Sequence, residues 1–291
     1  HPFWPLDNRW FYGDSIFIIE PLFWAACAPL AFLFRTTPAR FIVWLVMVMA
    51  IGLVFFTGLV AIPIAAGYSL LVAAMLLVGW RTPPRVSLAA GITLWLGVTL
   101  MFVLVGHSAK SRIAEIAAQQ FPDNKLLDRV VTPMPTNPWC WEIMLVQKEG
   151  DSAVIRRAMF AQSPSIFAAD ECLTRSLSMP LSAPLVDVPR ENTPELKWYG
   201  QITSPLDQLR SVAKTNCEAA AALRFIRAPW LATVEDERVL GDLRYDREAE
   251  LSFTEIAIDD SPNCPIFVPR WTPPRNDLLE PSDPQLTYAS P

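Results

Sequence analysis

Four charged side chains stand close together at the start of the chain, around the beginning of its first apolar run. They are Asp7, Arg9, Asp14 and Glu20. A carboxylate supplies an oxygen ligand to a divalent metal ion, and a metal-bound water is a hydrolytic nucleophile near neutral pH. We therefore take Asp14 and Glu20 as candidate metal ligands. Asp7 and Arg9 are as typical of a solvated interfacial pair as of a catalytic pair.

Each of the two candidate ligands has a structural alternative. Asp14 follows Gly13, which leaves the backbone accessible, but an aspartate here is also typical of a helix N-cap. Glu20 is an acid inside an apolar run, which favours a functional role, although its side chain could instead snorkel to the interface. The two acids are six residues apart, so an ideal helix separates them by about 240°. They share a face only if Pro21 distorts the turn.

Histidine and the common catalytic motifs supply no complete site. The sequence contains two histidines, His1 and His107, so it cannot form a three-histidine zinc site by itself. His107 ends an apolar run, which is typical of an interfacial side chain. The sequence contains no HExxH, GxSxG, P-loop or GxGxxG, and its closest cysteines are thirty-two residues apart, which excludes CxxC. It therefore identifies no catalytic residue, and a metal would need further ligands upstream of His1.

The elements around these acids are predicted to be membrane helices. The forty residues between Arg40 and Arg81 contain no charged side chain, and as a helix they would measure about 60 Å against a hydrocarbon core of roughly 30 Å. This run must cross twice, and Pro63 and Gly67 are predicted to form the turn. Residues 1–106 are thus expected to form an all-α transmembrane bundle with about four spans, at 15–34, 41–62, 65–80 and 86–106.

Composition supports a chain with one half in lipid and one in water. The 291 residues are 52% hydrophobic and 18% charged, with a mean hydropathy of +0.27. Residues 1–106 carry five basic and three acidic side chains, whereas residues 107–291 carry nineteen and twenty-six. This division excludes a wholly soluble enzyme, a disordered chain and a disulfide-rich miniprotein. The pI near 5.2 and the acidic second half also disfavour a nucleic-acid partner.

The distribution of arginine predicts the orientation. Two short loops between predicted spans lie on one side of the membrane by parity, and they contain Arg35, Arg40, Arg81 and Arg85. By the positive-inside rule, that side is cytoplasmic. The N-terminal stretch and everything after residue 106 then lie on the opposite side, although Arg9, Lys110 and Arg112 weaken the bias.

The second half is predicted to begin with a connector and continue as a small soluble α+β domain. Residues 107–130 form the connector, in which 108–120 are predicted to form an amphipathic helix that lies along the membrane surface; its apolar stripe contains Ala109, Ile113, Ile116 and Ala117. In the soluble domain, 131–260, the segments CWEIMLVQ and SAVIRRAMF flank KEGD and predict a hairpin. The segments WLATVEDERVLGDLRY and LSFTEIAI predict three more strands.

A helix and a tail complete this half. Ser204 and Pro205 predict the N-cap and first turn of a helix that runs to about Phe225. The tail at 261–291 contains eight prolines, which predicts an extended or disordered segment.

The cysteines leave two possibilities open. Four of the five lie after residue 106, and Cys27 lies in a predicted span. Outside the cytoplasm the four could form disulfides, with three complete pairings allowed. Alternatively they are small buried free thiols. The four residues are Cys140, Cys172, Cys217 and Cys264.

The opening HPFWPLDNRWFYGDSIFIIEPLFW carries a family resemblance. Its Gly-Asp pair and its following acidic-Pro step, formed by Gly13, Asp14, Glu20 and Pro21, resemble the YdjM-type family of inner-membrane metal-dependent hydrolases. The segments PMPTNPWCWEIMLVQ and VLGDLRYD are similar to parts of that family's soluble domain. The family's His-x-x-x-Asp motif is absent here, and a start at His1 without methionine or signal pattern predicts a processed or truncated sequence.

The resemblance implies a multi-pass protein of the bacterial inner membrane with a periplasmic α+β domain. It further implies a metal-dependent hydrolase that uses a divalent ion such as zinc, held in part by Asp14 and Glu20. Because these acids lie at the interface, a lipid or lipid-linked ester or phosphoester is the expected substrate. The alternative is a non-enzymatic membrane protein whose periplasmic domain binds a partner.

Overall fold

The first half of the chain folds as apolar helices in a computed structural model, which describes residues 6–7, 10–172, 181–246, 248, 250–251, 253–259 and 264–280. Three of these helices are long and apolar enough to cross a membrane. A shorter apolar pair precedes them. The helices are α1 (Pro21–Cys27), α2 (Leu30–Leu33), α3 (Thr37–Phe56), α4 (Ile62–Arg81) and α5 (Pro84–Gln120).

The predicted first span at 15–34 corresponds to the short pair α1 and α2. Proline explains the interruption, because Pro29 has no backbone N–H to continue the hydrogen bonding of α1. The membrane-like helical half is confirmed, whereas a fourth span stays a prediction.

The turn between α3 and α4 lies earlier than predicted. It occupies 57–61, where Gly58 has a φ of +68°, a backbone conformation that glycine adopts without steric cost. Pro63 lies in the first turn of α4 instead, since the missing N–H of proline has no helical partner there. The expectation of a reversal at Pro63 and Gly67 was therefore wrong.

Close backbone contacts align the short pair with the long helices. A Cβ atom added at Gly91 of α5 would lie 2.7 Å from the carbonyl oxygen of Ala26, and one at Gly79 of α4 would lie 2.8 Å from the Cα of Pro29. Further along α5, Gly106 lies beside Ser15. The segment 15–29 thus runs antiparallel to α5, towards the end of the bundle that carries the arginine loops.

The helix α5 extends from the apolar bundle into the sheet domain without a break. The predicted stripe of Ala109, Ile113, Ile116 and Ala117 is buried, and it packs against sheet residues such as Val131 and Ile143. The helix predicted at 108–120 is therefore confirmed as the end of α5, whereas its expected position along the membrane surface was wrong. An apolar stripe predicts that one face of a helix is buried but does not identify what buries it. Here the sheet buries this face, and not the surface of a membrane.

A four-stranded antiparallel sheet forms the body of the second half. Its strands pair in the order β1 (Lys125–Met134), β2 (Asn137–Glu149), β3 (Ser152–Ala161) and β4 (Leu196–Pro205). The predicted hairpin is confirmed as β2 and β3, with Gly150 in a left-handed conformation in the turn. The strands β1 and β4 were not predicted.

A second sheet and three helices complete the α+β domain. The three predicted strands are present as β5 (Pro229–Val234), β6 (Glu237–Asp242) and β7 (Ile256–Ala257). The predicted long helix is divided into α6 (Leu206–Thr215) and α7 (Cys217–Ala222). Asn216 separates the two because its side chain caps α7 by accepting the N–H of Ala219 at 2.9 Å. Ser204 lies in β4 rather than at the N-cap, and Pro205, the last residue of β4, is itself the N-cap of α6.

Part of the predicted tail packs on the domain. The helix α8 (Asn276–Leu279) contains the fully buried Leu278, so the expectation of an extended tail was wrong there. Residues 281–291 lie outside the described residues.

Two disulfides cross-link the α+β domain. Cys140 is bonded to Cys172 and Cys217 to Cys264, which is one of the three pairings left open by the sequence. The alternative of four free thiols was therefore wrong. Cys27 of α1 is free and exposed.

Candidate functional site

Asp14 lies in the segment that leads into α1. Its carboxylate pairs with two cations, Arg227 and Lys110. Its carboxylate oxygens accept from Nη1 of Arg227 at 2.7 and 2.8 Å, and Nζ of Lys110 lies 3.5 Å away. Asp14 itself adopts a φ of +50°, which is uncommon for a residue with a side chain. The N-cap of α1 is Glu20, so the capping alternative for Asp14 was wrong.

Arg227 joins Asp14 to the sheet. Its Nε and Nη2 donate to the carboxylate of Asp128 at 2.7 and 3.1 Å, and its guanidinium lies 3.8 Å from the ring centroid of Tyr12. The side chain of Arg227 is only 4% exposed. We call Asp14, Asp128, Arg227 and Tyr12 the arginine junction.

The charges of the junction stabilise one another. Burial alone would raise the pKa of Asp128, but the hydrogen bonds and positive charge of Arg227, with Arg275 nearby, lower it. Burial alone would likewise lower the pKa of Arg227, but the carboxylates of Asp128 and Asp14 raise it. Asp128 and Arg227 are therefore both ionised at neutral pH. The arginine junction connects the segment before α1 to β1 and to the residues that precede β5.

Glu20 occupies a separate position between the helices and the sheet. It is 3% exposed, and its carboxylate accepts the N–H of Leu22 at 3.1 Å and that of Thr136 at 3.2 Å. Glu20 precedes α1 and lies outside the three long helices. It both caps α1 and anchors the β1–β2 turn, so a side chain that snorkels to water was the wrong alternative.

These contacts give Asp14 and Glu20 different partners and do not bring them into one ligand set. Among the residues that the structure describes, no group of three or more His, Cys, Asp or Glu side chains could hold a metal ion. Because the predicted metal site also required ligands upstream of His1, it stays a prediction. His107 is exposed on α5, while His1 and Arg9 lie outside the described residues.

An aromatic cavity of about 550 Å³ opens beside the junction. Trp10 and Tyr12 form one wall, with their rings stacked at a centroid distance of 5.8 Å. Asp242 and Arg244 supply charge, and Nη2 of Arg244 donates to Asp242 at 2.6 Å. The lining residues are Trp10, Tyr12, Ala222, Phe225, Ile226, Asp242, Arg244, Tyr245, Phe253 and Thr254.

Two buried hydroxyl groups belong to residues that line this cavity. Tyr12 Oη and Thr254 Oγ1 are buried and have no hydrogen-bond partner among the described residues. Burial raises the pKa of Tyr12 to about 12, although Arg227 and Arg244 act against it. The phenol is therefore protonated and available as a donor. Because unpaired buried polar groups destabilise a fold, both hydroxyls are suited to bind a polar ligand or water.

Sequence reasoning found Asp14 but missed its partner. Arg227 is 213 residues away in the chain, and no local pattern marks it. The segment VLGDLRYD, noted for its family resemblance, contains Asp242, Arg244 and Tyr245 of the aromatic cavity.

Comparisons with protein-family models, with curated proteins and with solved structures found no match. The YdjM-type resemblance therefore stays a prediction.

Proposed function

We propose that this chain is a multi-pass membrane protein whose α+β domain lies outside the cytoplasm and binds a ligand. The arginine loops and the α+β domain lie at opposite ends of the helices, and cytoplasmic loops are rich in arginine. The two disulfides independently favour an oxidising compartment. Following the family resemblance, this compartment is the bacterial periplasm and the membrane is the inner one.

A fourth crossing by α1 and α2 completes the proposed topology. The apolar segment Pro21–Leu33 would measure about 20 Å as a helix, which is shorter than a bilayer core of roughly 30 Å. The contacts of Ser15 with Gly106 and of Ala26 with Gly91 support a path along most of the membrane part of α5. This crossing places the arginine junction and the sheets on the same side of the membrane.

The observation that carries the binding function is the aromatic cavity with its two unpaired hydroxyls. Ligand sites typically combine apolar walls with a few polar groups. Aromatic faces stack on the C–H faces of sugar rings, while hydroxyl and charged groups bind sugar hydroxyls. The proposed ligand class is therefore a saccharide. Binding is favoured over metal-dependent hydrolysis because Arg227 already pairs with Asp14, and backbone N–H groups bind Glu20.

The topology is tested with reporters fused to the C-terminus of the full chain. An alkaline phosphatase fusion is expected to be active and a green fluorescent protein fusion to be dark, since each reports one side of the inner membrane. The reverse pattern would contradict the proposed orientation.

The binding site is tested by calorimetry of the detergent-solubilised protein with soluble cello- and N-acetylglucosamine oligomers. Replacing Trp10 by alanine removes one wall of the cavity and is expected to weaken binding about tenfold. Trp80→Ala is the matched control, because Trp80 is 63% exposed at the opposite end of the bundle. Equal affinities of the two variants, or no binding by any oligomer, would refute the saccharide site.

A further inference from the structure

A second cavity lies where the helices meet the sheet domain. It has a volume of about 360 Å³ and combines the beginning of α4 with the β1–β2 turn. We call it the boundary cavity. Its lining residues are Leu22, Pro63, Ile64, Gly67, Tyr68, Leu71, Thr136, Trp139 and Phe167.

The depth of the boundary cavity in the membrane follows from the length of α4. This helix has 20 residues and measures about 30 Å, which matches the hydrocarbon core. Its first turns therefore lie at the level where lipid chains meet their ester groups. Trp139 in the cavity wall fits this level, because tryptophan is enriched at membrane interfaces. Nearby on α4, Ile62 and Leu70 are 75% and 72% exposed, as expected for side chains that face lipid.

One polar group of the boundary cavity is left without a partner. Tyr68 is 3% exposed, and its hydroxyl is buried with no hydrogen-bond partner in the described part of the chain. Among the other lining side chains, Trp139 carries an indole N–H and Thr136 a hydroxyl that donates to the carbonyl oxygen of Pro135, and the rest are apolar. The cavity thus offers an apolar space with one free phenolic donor.

The residues around the cavity favour an uncharged hydrogen-bond acceptor for the hydroxyl of Tyr68. Glu20 accepts the backbone N–H of Thr136 at 3.2 Å, so an acidic side chain lies behind the cavity wall. No lysine or arginine is among the lining residues. A phosphate group would lack a cationic partner here, whereas an ester carbonyl needs only the hydroxyl of Tyr68.

We propose that the boundary cavity binds one diacyl phospholipid from the leaflet that faces the sheet domain. One acyl chain fills the apolar space, and Tyr68 Oη donates a hydrogen bond to the ester carbonyl of that chain. The phosphate and headgroup stay outside, at the membrane surface. This site is distinct from the aromatic cavity and does not depend on its ligand.

Lipid binding in the boundary cavity is tested by filling the cavity with a larger side chain at the position of a glycine. A side chain at Gly67 meets nothing within 4 Å of its Cβ, so Gly67→Leu projects into the cavity without a backbone clash. Gly97→Leu is the matched control, because Gly97 of α5 is equally unobstructed and does not line the cavity. Both variants are delipidated in detergent and titrated with dioleoylphosphatidylcholine in native mass spectrometry. Circular dichroism confirms that each is folded.

We expect one tightly bound lipid in the unmodified protein and in Gly97→Leu, and binding about tenfold weaker in Gly67→Leu. The site would be refuted if the unmodified protein bound no lipid above a nonspecific background. Equal binding by the two leucine variants would refute it as well.

The hydrogen bond is tested separately with Tyr68→Phe and an ether-linked phosphatidylcholine, which lacks the ester carbonyl. The unmodified protein is expected to bind the ester lipid about fivefold more tightly than the ether lipid. Tyr68→Phe is expected to bind both lipids equally, because phenylalanine has no hydroxyl group to donate a hydrogen bond to either of them. If the unmodified protein does not distinguish the two lipids, the assignment of Tyr68 to the carbonyl is overturned.

Discussion

The apolar helices and the α+β domain are held together by different interactions. In the helices, backbones approach closely at Gly79 and Gly91. In the domain, two disulfides and buried ion pairs such as Glu142 with Arg157 link the strands and loops. Lipid provides little hydrophobic driving force for helix association, so contact geometry decides there. A small folded domain gains instead from covalent cross-links and burial. The arginine junction is where the two regions meet.

The largest effect is expected at this junction. Arg227→Met leaves the carboxylates of Asp14 and Asp128 without their main cation, and breaking such a pair destabilises a fold by about 3–5 kcal/mol. Thermal unfolding of the solubilised protein, followed by circular dichroism, measures the loss. Arg238→Met is the control, because Arg238 is exposed on β6 and such changes stay within about 0.5 kcal/mol. Equal losses in the two variants would show that the junction does not join the regions.

The disulfides are expected to matter for the domain alone. Removing both Cys217 and Cys264 by substitution with serine should lower the stability of the domain by about 2–4 kcal/mol. In thermal unfolding followed by circular dichroism, the domain should then unfold in a first transition. The helical signal of the apolar helices should persist through that transition. Cys27→Ser provides the control, because that thiol is free. A single transition that shifts both regions together would contradict the division drawn above.

The glycine contacts are expected to matter for the helices alone. Gly91→Ala places a Cβ atom 2.7 Å from the carbonyl oxygen of Ala26, and such overpacking costs about 1–3 kcal/mol. Gly97→Ala meets nothing within 4 Å and should leave the melting temperature of the helices unchanged or slightly higher. If both substitutions act alike, close packing is not what holds α1 against α5.

The smallest effect is expected from pH. Because the pKa of Asp128 is lowered from its ordinary value of 3.8, its contribution to stability is complete above that value. The contribution is lost as the pH falls through the lower pKa of the folded state. Melting temperatures measured between neutral pH and the acid limit should decline less steeply in Asp128→Asn. An unchanged slope would mean that this carboxylate is not stabilised by folding.

Sequence and structure agree where a single local property decides the outcome. The uncharged runs 41–80 and 86–109 predict α3, α4 and the apolar part of α5, because apolar runs of this length admit few other folds. The turn was misplaced, because Pro63 is compatible with both a reversal and a helix start. The strand β1 was missed, since Asp128 and Pro133 interrupt its apolar pattern. Arg227 was missed because its partners are set by the fold.

The continuity of α5 makes it a mechanical lever. Its 37 residues measure about 56 Å, and one end lies beside the arginine loops while the other packs against the sheet. A bilayer that thins makes its helices tilt, and a tilt of about 5° moves the far end of such a rod by about 5 Å. In the proposed topology, a change in bilayer thickness would therefore displace the sheet domain through this continuous helix.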